Sequence, residues 1–575
     1  MKTVIIGQIP DNFSTDSHIP IAPFCFIGKE DIVKEWENTE HQDDPFDTSL
    51  KLKDADILTS NFTLRKIDEF ALIFNKNYGL NFSNKFWKVI LYPWLLMLIQ
   101  SVYEKEIRVK NFIDKYKNEN FKIDLIKDNI RWEFSDTLDF VNNGVLDNSF
   151  NAWIISRIIE KYSLKNWYIN YIDCSKEAVK KNTNKNNLTL LTKRKHLKYK
   201  LKSIFLPRYF FVEGFSLVDA FIINILLFIK EKKSNQNIKL LSGKEKCLNN
   251  VEFKVDINKI INATIPYSIK EIKSRLKNFD CKKQKSGYKI NIGSQSLWFD
   301  DNTFKIQLAL AIENGEKIIG VQHGGHNYGT AKSFSVGNEI EYKQYKFITW
   351  GWEQQEDFKA DYVPLPSPFL SKIKKKYKSR KDSIVFVGTR AYLFLYRFDS
   401  IPQSIQWLHY RKEKINFLKT LNDEILKKLY YRPYFSNNNG SLEDENYIKN
   451  KFPFLKILYG DFQKFLINCS LVILDHPGTT LNICLAANIP TICFWEKESW
   501  PLCKQSIPYF DELESNGILF HSANEAAKKI NSINENISEW WYNKNVQESR
   551  EQWAEKYART NKYWLYYWMK KLWEI

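Results

Sequence analysis

From residue 283 onward the chain alternates strand-like and helix-like periods, and this order constrains the fold more than any other feature. SGYKINIGSQ reads as a strand and turn, FKIQLALAIENGEK as an amphipathic helix closed by Gly315, KIIGVQ as a second strand and YKFITWGW as a third. A strand, helix, strand order requires a crossover connection, so the strands lie parallel with helices on their faces. After VPLPSPF (363–369) the alternation resumes with SIVFVGTR (383–390), LYYRPYF (429–435), FLKILYG (454–460) and SLVILDHPGTTLNICLAANIPTICFWEKESW. The expectation is an α/β protein with two Rossmann-like parallel-sheet domains facing a cleft. Residues 1–375 form the first domain, 363–380 the hinge and 380–520 the second domain, with helices in 521–575 packing back on the first. In such a fold ligands bind outside the carboxyl ends of the strands.

The first third looks different. TVIIGQIP reads as a short buried strand, whereas 84–115 and 150–180 carry helical spacing, so this part is expected to be helix-rich. ILYPWLLMLI (90–99) and LVDAFIINILLFI (217–229) fall short of the ~20 residues that span a bilayer and read as buried helices. Between about 178 and 203 lies a basic stretch, the best candidate for an exposed linker or membrane-facing loop. Trp540, Trp541, Trp553, Trp564, Trp568 and Trp573 recur at mostly helical spacing, which points to packing between domains more than to a membrane anchor.

With 85 basic against 67 acidic residues in 575, the net charge of +18 favours an anionic partner: nucleic acid, phospholipid or a phosphorylated substrate. Eight cysteines without a CxxC pair suit free thiols in a reducing cytoplasm, and MKTVIIGQIPDNFS lacks the pattern of a signal peptide. A cytoplasmic location follows, with a peripheral place on the inner face of the membrane left open by the basic and aromatic content. No HExxH, strand-end DxD or clustered Cys/His set is present, and HGGH lacks a third ligand, so no metal is expected. Neither a Walker P-loop nor a GxGxxG fingerprint occurs.

Two short stretches concentrate the chemistry. GVQHGGHNYG (320–329) spends four of the chain's 20 glycines around two histidines at the end of a strand. Such a composition suits a turn built around a ligand, although a turn whose histidines merely cap or pack has the same residues. His323 follows the strand directly and is the candidate base, with Gln322, Gly324 and His326 on the acceptor side. Asp300 and Asp301, before the preceding helix, are the carboxylates expected on the same edge, and N-capping is their structural alternative. In the second half, Asp475-His476-Pro477-Gly478-Thr479-Thr480 joins a strand to a helix, where free amides, the helix dipole and hydroxyls form a phosphate cradle. Ordinary N-capping by Thr479 is the alternative there. Thr389 and Arg390 end the strand SIVFVGT and Arg432 follows LYY, so both guanidinium groups, which suit phosphate, are expected on the same strand-end rim as His476; taken singly, each reads as a surface residue. Glu496, just past the strand TICFW, is a candidate acceptor for ribose hydroxyls, and WEKES reads equally well as a solvated turn.

GVQHGGHNYG, ITWGW and HPGTTLNICLAANIPTICFW, with FWKVILYPWLLMLIQSVYEKEIRVK upstream, resemble a family of bacterial surface-polysaccharide (O-antigen locus) transferases with a GT-B-like architecture. The His-Pro pair is similar to the motif through which GT-B enzymes using CMP-activated acidic sugars contact CMP, among them sialyltransferases, Kdo transferases and pseudaminic acid transferases. That likeness implies His476 and Pro477 on the nucleotide, with support from Thr479 or Thr480. QHGG is similar to a His-Gly motif of polyglycerolphosphate transferases, whose histidine is the base, which implies that role for His323. The acidic-acidic-Gly signature of sialyltransferases is absent, so the catalytic group stays open between His323, Asp300 and Asp301. The resemblance implies a metal-independent glycosyltransferase that needs no cofactor and takes a nucleotide sugar, CMP-linked, as substrate, with a lipid-linked or polymeric glycan as acceptor. A CDP-polyol phosphotransferase of the teichoic-acid kind is the alternative enzyme. A non-catalytic nucleic-acid or glycan-assembly binding protein is the alternative of another class, but 178–203 has few aromatics to interleave with its charges, so nucleic acid is not the expected partner.

Overall fold

The computed structural model of the chain describes residues 1–26, 29, 32–33, 36–41, 44–174, 212–233, 251–277, 290–293, 304–332, 334, 337–356, 358–378, 383–389, 392, 394–399, 401–402, 404–434 and 444–575. Three parallel sheets carry them. The first contains β1 (Lys2–Ile5), β2 (His18–Pro20), β3 (Phe121–Ile126) and β4 (Trp167–Ile172) in the order β2-β1-β3-β4. The second runs β5 (Ile290–Gly293), β6 (Lys317–Val321), β7 (Lys346–Thr349) and β8 (Tyr362–Pro364) in sequence order. In the third, β9 (Ile384–Val387), β10 (Leu429–Arg432), β11 (Lys456–Ile457), β12 (Leu471–Leu474), β13 (Thr491–Phe494) and β14 (Leu519–Phe520) follow the order β11-β10-β9-β12-β13-β14.

The α/β class with parallel sheets is therefore what the chain adopts, and the stretch 1–375 holds two sheets instead of one. Strand β4 was hidden inside a region with helical spacing: a helix occupies Asn148–Ile159, but the β-branched and aromatic WYINYI pairs along β3. Of the segment expected as a hinge, 363–380, residues 363–378 are described and hold the end of β8 and a short helix. Pro364 ends β8 on the sheet edge, where a missing amide costs no ladder bond, and Pro368 enters the helix Pro368–Lys374 just after its N-cap Ser367.

Numbered along the chain, the helices that matter below are α1 (Ser49–Tyr78), α2 (Asn84–Tyr116), α3 (Leu217–Lys233), α4 (Phe304–Glu313), α5 (Thr479–Ala487), α6 (Lys544–Tyr557) and α7 (Trp564–Glu574). α2 is long and apolar enough to cross a membrane, yet it is packed inside the protein between α1, α4 and the helix Asn148–Ile159. It also anchors the segment that follows β9, since Lys105 donates to the Leu395 carbonyl and Gln100 accepts from the Phe398 amide; Phe24, in the turn Pro23–Phe26, adds a ring contact 4.9 Å from Phe394. The first third thus buttresses a loop at the rim of the third sheet. α7 packs on the second sheet, with Trp564, Trp568 and Leu572 among Ile292, Ile319 and Ile348. Trp541 and Trp553 are buried as well, in agreement with a packing role, while Trp573 is exposed.

Candidate active site

In the third sheet β9 and β12 are adjacent although distant in sequence, and the strand order reverses between them. Strands of a doubly wound sheet leave a crevice at this switch point, outside their carboxyl ends. The register pairs Val387 with Leu474, so Gly388-Thr389 and Asp475-His476 emerge side by side into it. All four residues of β12 are buried, as both faces of a parallel strand should be, and Pro477 is buried after them. His476, Gly478, Thr479 and Thr480 keep part of their surface open.

Asp475 organises this turn. Its Oδ1 accepts from the Thr389 amide at 2.9 Å and from His476 Nδ1 at 2.8 Å, and its Oδ2 lies 3.2 Å from Lys414 Nζ. Burial raises the pKa of such a carboxyl, but the Lys414 charge and the His476 hydrogen bond more than offset it and hold Asp475 below the usual carboxylate range. Lys414 also pairs with Asp444 and donates to the Thr389 carbonyl, so the ends of β9 and β12 share one buried cation. With Nδ1–H committed to Asp475, His476 presents Nε2 to the start of α5. A Cβ on Gly478 would approach that Nε2 to 2.6 Å, so only glycine leaves the ring its place. Gly478 is the N-cap of α5 and supplies no side-chain acceptor. Thr479 is therefore not the cap; its hydroxyl is used elsewhere.

That hydroxyl accepts from the amide of Gly325, at 3.1 Å. The turn after β6 thus rests on the start of α5, so closely that a Cβ on Gly325 would lie 2.1 Å from Asn482 Oδ1 and 2.9 Å from the Thr479 backbone. Trp500 completes the junction: His326 meets it edge-on at 4.9 Å and His476 lies 6.3 Å away on the same ring. The segments continue to interlock, since Cys503 N bonds Thr330 O and Lys332 N bonds Pro501 O. The two histidine motifs, some 150 positions apart, meet in one place.

His323 has partners of its own. The Tyr328 hydroxyl lies 2.7 Å from His323 Nδ1 and donates to Glu341 Oε2 at 2.6 Å. With the phenol proton directed to Glu341, Nδ1 is the donor to Tyr328 and Nε2 keeps its lone pair. Burial, then the Glu341 carboxylate, holds the Tyr328 phenol well above its usual pKa, so it stays protonated. Burial also pushes the pKa of His323 down to about 4, which keeps the ring neutral at working pH.

The remaining expected residues are placed as follows. Gln322 is buried, and its amide is consumed by the Gly324 carbonyl, the Trp350 amide and the Trp352 indole, so it shapes the turn instead of facing an acceptor. His326 is buried against Trp500. Arg432, one strand beyond β9 and roughly 10 Å from β12, donates to the Leu458 carbonyl on the side of β11. Glu496 is exposed at the end of β13, 3.0 Å from His409, on a recess also lined by Tyr410, Glu413, Trp495 and His521. Asp300, Asp301 and Arg390 lie outside the described residues, as does the basic stretch 178–203. Among the described residues there is no group of three or more His, Cys, Asp and Glu side chains able to hold a metal ion.

The family model described as LIC12162 family transferase matches residues 2–572. The chain belongs to this family. It is thus a member of a transferase family over nearly its whole length, and the LIC12162 match includes both histidine turns. No curated protein matches it. A crystal structure of MurG from Acinetobacter baumannii is similar over 60% of this chain and 87% of that one, at 11% identity and a TM-score of 0.29, a likeness too loose to bear on the site.

Proposed function

We propose that this LIC12162-family protein is a glycosyltransferase of GT-B type that moves an acidic sugar, a nonulosonate or Kdo, from its CMP-activated form onto a lipid-linked or growing bacterial surface glycan. One observation carries the reading: a His-Pro-Gly turn at the switch point of a Rossmann-ordered sheet touches, through Gly325 and Thr479, a second turn that holds an oriented neutral histidine. The His-Pro resemblance supports CMP as the nucleotide. His476 Nε2 and the first amides of α5 would receive the donor phosphate, Thr389 and Thr480 would add donors, and Glu496 would bind donor hydroxyls. In the transfer the acceptor oxygen bonds to the anomeric carbon, the bond from that carbon to the phosphate oxygen breaks, and CMP leaves. The acceptor proton goes to His323 Nε2. Asp300 or Asp301 is the carboxylate proposed to stabilise positive charge on the sugar. Arg390 and Arg432 are proposed to neutralise the phosphate, the latter after leaving the Leu458 carbonyl.

The His323–Tyr328–Glu341 chain equally suits the base of a CDP-polyol phosphotransferase, which would use the same turns on a different donor. Incubation of the purified protein with an acceptor glycan and either CMP-sialic acid, CMP-Kdo, CMP-pseudaminate or CDP-glycerol separates the two. Glycosylated product from a CMP-sugar supports the proposal, and product from CDP-glycerol alone replaces it with the phosphotransferase.

A further inference from the structure

Helix α3 does not fit the expectation of a buried helix. Ala220, Ile223 and Leu227 are buried, the last two in the core of the second sheet and α7, but Leu217 is 60% exposed, Val218 66%, Phe221 51%, Ile225 41% and Ile229 43%. At about 100° per residue these five fall within an arc of ~120°, opposite the buried three. A helix apolar on both sides has a second apolar environment to satisfy. At 17 residues, roughly 25 Å, α3 is too short to span a bilayer. It is also pinned along its length: Asp219 pairs with Lys372, and Lys230 donates to the carbonyls of Leu572 and Trp573 on α7. Its outer face can therefore lie along a membrane but not enter one end-on.

The neighbouring α7 shows the matching signature. Its exposed side and the turn that leads into it interleave aromatics and cations, with Lys562 and Tyr563 in the turn and Tyr566, Tyr567 and Lys570 on the helix. Tyrosine and lysine at a helix surface suit the headgroup layer, where rings stay half-immersed and amines reach phosphates. Of the local acids, Asp219 pairs with Lys372, Glu574 pairs with Lys571 and Glu231 accepts from the Ile290 amide, and the chain as a whole carries +18.

We propose that the outer face of α3, flanked by the Tyr/Lys side of α7, docks on an anionic phospholipid bilayer and holds the protein parallel to the membrane surface. The apolar arc enters the acyl boundary, and Lys562 and Lys570, before and on α7, supply the charge attraction. This placement is independent of which donor the candidate active site takes.

The test is flotation of the full-length protein with vesicles of phosphatidylcholine alone or with 30% phosphatidylglycerol (an amount of about this size gives a strongly anionic surface), for wild type, Phe221→Ser/Ile225→Ser and Lys562→Glu/Lys570→Glu. The expected result is binding to the anionic vesicles, at least about tenfold weaker for each double variant, with melting temperatures unchanged. Light scattering runs alongside. Absence of vesicle binding by the wild type, or equal binding by the Phe221/Ile225 variant, overturns the proposal. A dimer that becomes a monomer in that variant, without vesicle binding, would show that a second copy of the chain covers the face instead.

Discussion

The amide of Gly325 donates to Thr479 Oγ1 across 3.1 Å, and this bond ties the turn after β6 to the helix after β12. The two elements belong to different sheets, so the contact sets the distance between His323 and His476. A Cβ at Gly325 has no room, because the Thr479 backbone at 2.9 Å cannot yield as a flexible side chain would. Gly325→Ala should therefore destabilise the protein by about 1–3 kcal/mol and weaken nucleotide binding together with it. Thr479→Val keeps the shape but strands the Gly325 amide, with an expected cost of about 1–3 kcal/mol. Urea unfolding of both variants, paired with nucleotide titration, measures these effects.

Tyr328 joins His323 to Glu341, and its loss should act on turnover more than on binding. Tyr328→Phe removes the hydroxyl that orients the imidazole, so kcat should fall by roughly 10²-fold, within the usual span of acid–base contributions, while the donor KM changes little. A merely structural tyrosine would instead lower the melting temperature and leave kcat per folded molecule intact. Steady-state kinetics with the active donor, set beside thermal unfolding, distinguishes these outcomes.

The pH dependence follows from the depressed pKa of His323. In the folded protein the ring takes up its proton near 4, in the unfolded chain near 6.5. Stability from this residue is therefore present above about 6.5 and is lost as pH falls from there toward 4. The acid limb of kcat/KM assigned to His323 should likewise descend toward about 4, with no inflection near 6.5. NMR titration of the His323 ring resonances, identified by their absence in His323→Gln, checks both statements.

Asp475 is the buried acid on which Thr389, His476 and Lys414 converge. Asp475→Asn leaves Lys414 with Asp444 as its carboxylate partner and frees the His476 ring. Breaking a buried pair from one side costs about 3–5 kcal/mol; because Asp444 remains, the lower end is expected. Denaturant unfolding reads that loss, and nucleotide affinity should fall with it.

Much of the fold was legible where strands are fully buried. IVFV, LVIL and TICF form continuous apolar runs bounded by turns, and β9, β12 and β13 lie where those runs fall. Edge strands were less visible: β8 ends in proline, β4 alternates weakly, and β14 is two residues long, so local sequence carries little of their pairing. Both histidine turns stood out because glycine and proline at strand ends are locally encoded. Their meeting was not, since nothing in HGGH or HPGTT announces a bond between Gly325 and Thr479. Glu341 and Trp500 were missed for the same reason. An acid in GNEIEY and a tryptophan after WEKES acquire meaning only through tertiary contacts with Tyr328, His326 and His476. The exposed arc of α3 was misread because an apolar run does not reveal which of its sides is covered.

A nucleotide site on the His476 turn is tested by thermal stabilisation of the purified protein with CMP, CDP, UDP, GDP and ADP, for wild type and His476→Ala. Ligand that binds only the folded state raises the melting temperature by mass action. A CMP site held by His476 gives a rise with CMP that disappears in the variant; no rise with any nucleotide, or an equal rise in His476→Ala, would rule that site out.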